Sequence, residues 1–277
     1  MHASLVSRIV HPLIALVTVN TQLAILKRNR VGWLAALLIS ILPAIVIRGL
    51  AWYFGDFGPR DLEAYEAYSI FAITWYMQLM TPILALMFGL SLFSSEYENE
   101  TAPYLLLRPV PRVILALGKF LGYLMTTTIF MLISMLIFIL ILETLPNSGL
   151  LYYDYDIISQ DLGVLILALA GYGSVLMFVG SFFRYRLLIG IIFLFGWETT
   201  AAYIPGSAHQ FTLRHYLLSI FPHQFEQNEL QELLSDHPAA SSLTSLTVLL
   251  VVVIAGVLLT SLVLKYRELP IGKIEAE

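Results

Sequence analysis

The chain has no cysteine among its 277 residues. A disulfide framework, a thiolate-bound zinc and a cysteine nucleophile are therefore excluded. Charge is nearly as scarce. Asp, Glu, Lys and Arg make up 12% of the residues, about half the share of a soluble domain. The hydrophobic share is 58% and the mean hydropathy is +0.82. A soluble chain of this length needs a polar skin that so few charges cannot supply. Soluble enzymes and disordered chains are ruled out on that ground. A net charge of −4 and a pI near 5.9 leave no footprint for nucleic acid. The N-terminal stretch reads as a poor signal peptide. The start, MHASLVSRIVHPLIALVTVN, has one early Arg8, an interruption at Pro12, no small-residue cleavage site and a basic stop at Lys27–Arg30. It is expected to remain in the mature protein.

What the chain does have is long apolar runs. A helix needs roughly 20 apolar residues to cross the hydrocarbon core. Six candidates answer to that length: 31–54, 69–93, 120–142, 162–183, 187–204 and 244–264. The third, fourth and sixth carry no charge. The third holds fourteen Leu, Ile or Phe residues, which favours insertion by about 4–8 kcal/mol. The fifth is the weakest, being short and carrying Glu198.

The few charges set the orientation. With both termini in the cytoplasm, only Arg48, Arg60 and Arg214 of the 15 basic residues fall outside or near the outer face. The external loops are acidic, with Asp56, Asp61, Glu63, Glu66, Glu143, Asp154, Asp156 and Asp161 among their residues. The positive-inside rule then predicts an all-α integral membrane protein of six spans, N-in and C-in. Residues 5–30 alternate apolar and polar positions before the basic Lys27–Arg30 cluster. They are expected to form an interfacial helix at anionic headgroups. The outer loop, 205–243, includes the apolar stretch Phe211–Phe221, which is expected to dip back into the membrane. A short outer helix, Gln227–Pro238, is expected to follow and to stop at Pro238. The whole of 1–277 reads as one transmembrane domain.

The most informative segment is 94–119, SSEYENETAPYLLLRPVPRVILALGK. Ser95 and Glu98 have capping-box spacing. Thr101 is a good N-cap, with Pro103 in the first turn of a short helix over Ala102–Leu107. Arg108 precedes a proline and leaves helical angles, and Pro109 and Pro111 stiffen the exit. Arg112 and Lys119 are placed at headgroup depth beside the next span. The product is a stiff cytoplasmic lever presenting Tyr104, Leu105 and Arg108. Gly118-Lys119 is followed by Phe120 and opens an apolar span. It is not the end of a phosphate loop, so the chain is expected to bind no nucleotide.

The run of Glu96 or Glu98, Thr101, Tyr104–Leu106, Arg108–Arg112, Gly118 and Lys119 resembles the permease subunits of ABC-2 type transporters, especially the NosY-like branch. The six spans, the N-terminal elbow helix and the re-entrant outer segment are similar to that family too. Two positions depart from its pattern: Glu100 stands where Gly is frequent, and Asn20 and Thr21 stand where the elbow helix often has an acid. The resemblance implies a subunit of a bacterial cytoplasmic membrane transporter, with export as the expected direction. It would dimerise with itself or with a second permease, among membrane lipids. Each half would dock a separate ATPase subunit through Glu96, Glu98, Thr101, Tyr104, Leu105, Arg108 and Arg112. ATP and Mg would belong to that partner, and this chain would hold no cofactor. The turn Phe183–Arg186 would add a smaller contact.

Glu198 is the one acid placed within a span. A central charge costs about 2.5–3.5 kcal/mol, close to what the apolar residues of that span supply. It must be partnered, protonated, in a wet cavity or near the outer surface. It is a candidate for the substrate path or gate, and equally for an interhelical hydrogen bond. Arg48, far along the first span, either snorkels outward or pairs with Glu198 or Asp56. Pro43 and Pro82 are expected to kink their spans. The small residues of span four, including Gly171, Gly173, Ser174 and Gly180, are expected to pack helices closely. His209, His215, His223 and His237 match no standard ligand spacing, so no metal site is expected. An intramembrane protease is excluded by the lack of a His within a span, of paired acids and of HExxH. A scaffold or channel without ATP coupling is the alternative to transport. It has no need of the capped cytoplasmic helix.

Overall fold

The computed structural model describes residues 2–28, 30–54, 64–93, 111–144, 155–201, 204, 207–221 and 240–266. Among these residues every regular element is helical. The first helices are α1 (His2–Arg28) and α2 (Arg30–Phe54). Helix α3 is a rod that reaches Phe93, through Ala64–Phe71, Ala72–Met80, Thr81–Leu84 and Ala85–Gly89 and then a turn at Leu90 and helical residues 91–93. Then come α4 (Arg112–Leu142) and α5 (Tyr155–Phe182). Helix α6 runs through Arg186–Ile191, Ile192–Trp197 and Glu198–Thr200. A 3₁₀ turn at Ala208–Phe211 leads into α7 (Leu213–Ile220), and α8 (Ser242–Tyr266) follows.

Four helices are long and apolar enough to cross a membrane: Tyr68–Phe93, Arg112–Leu142, Asp156–Phe182 and Ser242–Tyr266. They fall on the second, third, fourth and sixth runs read from the sequence. Pro12–Lys27 and Ala36–Gly49 are shorter apolar stretches, in α1 and α2. Three boundaries differ from expectation. Helix α4 begins at Arg112 rather than Phe120, because Pro111 supplies an extended residue that starts a helix without needing an N–H. Helix α5 begins at Tyr155, so Asp161 is not a loop acid. It is fully buried within the helix, and the Tyr68 hydroxyl donates to its Oδ2 at 2.8 Å. Helix α6 ends at Thr200, short of Ile204. At 1.5 Å per residue, Arg186 to Thr200 covers about 22 Å, less than a hydrocarbon core of roughly 30 Å.

Two rods are wound wide in places. In α3, Ala72–Met80 and Ala85–Gly89 are π-helical. Pro82 lies between them and has no N–H to give. Thr81, just before it, sends both its backbone N–H and its hydroxyl to the carbonyl of Tyr76, the hydroxyl at 2.8 Å. In α6, Ile192–Trp197 is π-helical, and the N–H of Glu198 reaches the carbonyl of Phe193. Such segments are rare and recur where a helix serves function.

Contacts order the bundle along its length. At one end Tyr68 of α3 meets Asp161 of α5. At mid-length a buried polar node joins three helices: Ser134 of α4 donates to Ser40 of α2 at 2.6 Å, and Tyr76 of α3 lies 3.0 Å from the Ser134 hydroxyl. Tyr123 of α4 donates to the carbonyl of Leu169 in α5 at 3.1 Å and lies flat against Gly173, where any β-carbon would collide with its ring. At the other end the carbonyl of Leu90 of α3 sits 2.5 Å from where a β-carbon on Gly180 would lie. The small residues of α5 therefore do pack helices closely.

Candidate functional site

Glu198 sits near the end of α6 and is 4% exposed. Its carboxylate accepts three hydrogen bonds. The backbone N–H of Leu213 donates to Oε1 at 3.0 Å. The backbone N–H of Arg214 donates to Oε2 at 3.0 Å, and the Tyr172 hydroxyl reaches the same oxygen at 3.2 Å. Leu213 and Arg214 are the first two residues of α7, whose N-cap is Thr212. The Thr212 hydroxyl accepts from the N–H of His215 at 3.3 Å. So the first three N–H groups of α7 all find acceptors, two of them from a carboxylate on another helix. A helix N-terminus carries about half a positive charge, and an acid at that end is favoured. Charge-assisted bonds of this kind are roughly twice as strong as neutral ones.

This arrangement places the start of α7 deep in the bundle. Tyr172 is midway along α5, and Leu213 packs beside Gly171 with Leu249 of α8. The other end of α7 returns toward the start of α8, where the N–H of Ala240 donates to Ser219 at 3.1 Å. Leu213 and Leu217 are buried, and Phe221 after them. Leu213, Leu217 and Phe221 thus pack among the helices, whereas Phe211 is 75% exposed.

Beside the carboxylate lies a cavity of about 50 Å³, enough for a few water molecules. The π-helical turns of α3 and α6 both face it, through Met77 and Gln78 on one side and Leu194 and Phe195 on the other. Glu198 and Arg214 supply its charge. Nε of Arg214 is buried and makes no hydrogen bond among the described residues.

Arg48 and Glu198 are not brought together. Arg48 is exposed on α2, whereas the partners of Glu198 come from α5 and α7. His209 and His215 stack edge to face at 4.7 Å. His223 and His237 lie outside the described residues, as does the outer helix expected at Gln227–Pro238. Of the cytoplasmic segment, Glu96, Glu98, Thr101, Tyr104, Leu105 and Arg108 also lie outside them, and so does the short helix expected at Ala102–Leu107.

The flanks of that segment are described. Arg112 opens α4 and is half-buried. Lys119 corrects an expectation: it does not reach for headgroups. It is 6% exposed, and its Nζ donates to the carbonyl of Leu92 at 2.6 Å and lies 4.4 Å from the centre of the Phe93 ring. The turn Phe183–Arg186 is tight, with Tyr185 71% exposed at its tip.

A family model described as ABC-2 family transporter protein matches residues 18–197. The chain belongs to that family. No curated protein matches it individually. As an ABC-2 permease it is a multi-pass membrane subunit of an ABC transporter, and the family implies a partner ATPase subunit. The match runs from Thr18 in α1 to Trp197 in α6 and takes in the whole of 94–119. Glu198, α7 and α8 lie beyond it. Sequence reasoning singled out Glu198 but not Tyr172, Arg214 or Gln78. The available signal was Thr212, three residues before His215, which marks a helix start.

Proposed function

We propose that this ABC-2 permease couples ATP hydrolysis on its partner subunit to export of a substrate from the cytoplasm of a bacterium. Residues 1–277 form one transmembrane domain of six spans, N-in and C-in, belonging to the NosY-like branch. Helix α1 is the elbow at the cytoplasmic surface, α2 and α6 complete the six spans, and α7 is the re-entrant outer segment. The domain pairs with a second permease, identical or related, among membrane lipids. Glu96, Glu98, Thr101, Tyr104, Leu105, Arg108 and Arg112 meet the ATPase subunit, which holds ATP and Mg. This chain adds no cofactor and no chemistry of its own.

The observation that carries this reading is the family match across 18–197, which encloses the segment 94–119. The bond between Glu198 and the start of α7 supports a gate. A helix that enters the bundle only partway has its N–H groups cut off from water, and each must keep an acceptor. While the carboxylate holds Leu213 and Arg214, α6 and α7 move together. Release of that bond lets α7 move away from α6 and widens the small cavity beside them.

The test is reconstitution with the partner ATPase in liposomes. The complex is expected to assemble, and its ATP hydrolysis to differ several-fold from that of the ATPase alone, roughly 1 kcal/mol of coupling. Replacing Tyr104 and Arg108 by Ala is expected to remove the difference. An ATPase that neither co-purifies nor responds supports a scaffold or a channel instead.

A further inference from the structure

In sequence the segment 94–110 joins α3 to α4, and the described residues that flank it meet at one pair, Gly118-Lys119. On one side, Lys119 reaches back to the end of α3. Its ammonium donates to the carbonyl of Leu92 at 2.6 Å and sits over the Phe93 ring. Leu92 lies beside Phe93, the last described residue of that helix, and its carbonyl accepts a charge-assisted hydrogen bond from the ammonium. On the other side, Gly118 receives α1. A β-carbon there would stand 2.8 Å from Val17, and the Thr18 hydroxyl lies 3.2 Å from the Gly118 carbonyl, to which it donates. One turn further on, a β-carbon at Gly122 would stand 2.8 Å from the Thr18 carbonyl and from Thr21. The glycine pair, four apart, thus lets the elbow backbone lie directly on α4.

A lysine at the edge of a membrane ordinarily extends its amine into water. This one is buried, and the bonds it makes tie two helices at the points where the cytoplasmic segment leaves and returns. We propose that Lys119 is a positioning residue for coupling: it joins α3 and α4, with α1 riding on Gly118, so that a push on the segment moves all three helices as one. Without the joint, the segment still docks the ATPase but its displacement is taken up between the helices. This rests on the reading of 94–119 as the contact with the ATPase.

The experiment uses the full chain reconstituted with its ATPase subunit, and the absence of cysteine makes each introduced cysteine unique on this chain. A cross-linker at Tyr104→Cys reads docking. The labelling rate at Ser207→Cys, exposed ahead of α7, reads the conformational response to ATP with vanadate. The unmodified joint should give a cross-link and a clear change in labelling. Lys119→Met should keep the cross-link and shrink the ATP-dependent change roughly tenfold, as expected for a lost charged hydrogen bond. Lys119→Arg, which keeps the charge and a donor, should restore part of it. If Lys119→Met prevents assembly, Phe93→Leu decides: a kept cross-link with a reduced response supports the joint. A response equal to wild type in Lys119→Met, or in Phe93→Leu when that variant decides, overturns it. Absence of the Tyr104 cross-link in the otherwise unmodified chain overturns the docking reading itself, and the inference falls with it.

Discussion

At the scale of single residues, Glu198 carries the most weight. Its carboxylate satisfies two backbone donors at the start of α7, one buried and one half-buried, and each buried donor left unpaired costs about 1–3 kcal/mol. Glu198→Ala should therefore lower the melting temperature of the purified chain in detergent well below that of Glu198→Gln, which keeps an acceptor oxygen. Equal melting of the two variants would show that the bonds to Leu213 and Arg214 contribute little. Gly173 makes a second prediction. A β-carbon there meets the Tyr123 ring, and overpacking of this kind costs about 1–3 kcal/mol. Gly173→Ala should destabilise the chain, and adding Tyr123→Leu should recover most of the loss in the same melt. The need for a partner at Glu198 was legible in the sequence, from the cost of one acid in an apolar run. Who the partners are was not. Tyr172 lies 26 positions away, and the other two donors are backbone groups that any residue type would supply.

At the scale of elements, legibility followed the apolar content. The charge-free runs in α4, α5 and α8 stand out because nothing within them opposes insertion. Helix α6 ends at Thr200, before the Ile204 expected from an apolar run that continues as far as the stop signal at Pro205-Gly206. The π-helical windings left one trace, Pro82, and that proline gives a kink as readily as a wide turn. The Thr81 hydroxyl bonds to the carbonyl of Tyr76 at the close of the wide turn. Thr81→Val keeps shape and removes the hydroxyl. It should leave assembly with the ATPase intact while slowing the ATP-dependent change at Ser207→Cys, because the turn that lines the Glu198 cavity loses its tie. An unchanged rate would assign the π-helical turn to packing alone. The elbow is the converse case. Its amphipathic pattern pointed to a surface helix, but its seat on Gly118 and Gly122 depends on small residues a hundred positions later.

At the scale of the whole molecule, the scarce charges do the sorting. In the proposed topology the acidic loops and the basic flanks lie on opposite faces, and the lack of cysteine opens that assignment to direct chemistry. Single cysteines at Asn147 and Gln231 should react with a membrane-impermeant maleimide on intact cells, and one at Thr101 only after permeabilisation. The reverse pattern would invert the six-span topology. The central claim, though, is that 94–119 is where this permease meets its ATPase. The most direct measurement is site-specific cross-linking from Tyr104 to the ATPase subunit in the assembled complex. The expected result is a covalent adduct that forms from Tyr104 and not from Asn147 on the opposite face. An assembled complex in which Tyr104 never cross-links, or in which Asn147 does so equally well, would contradict the account.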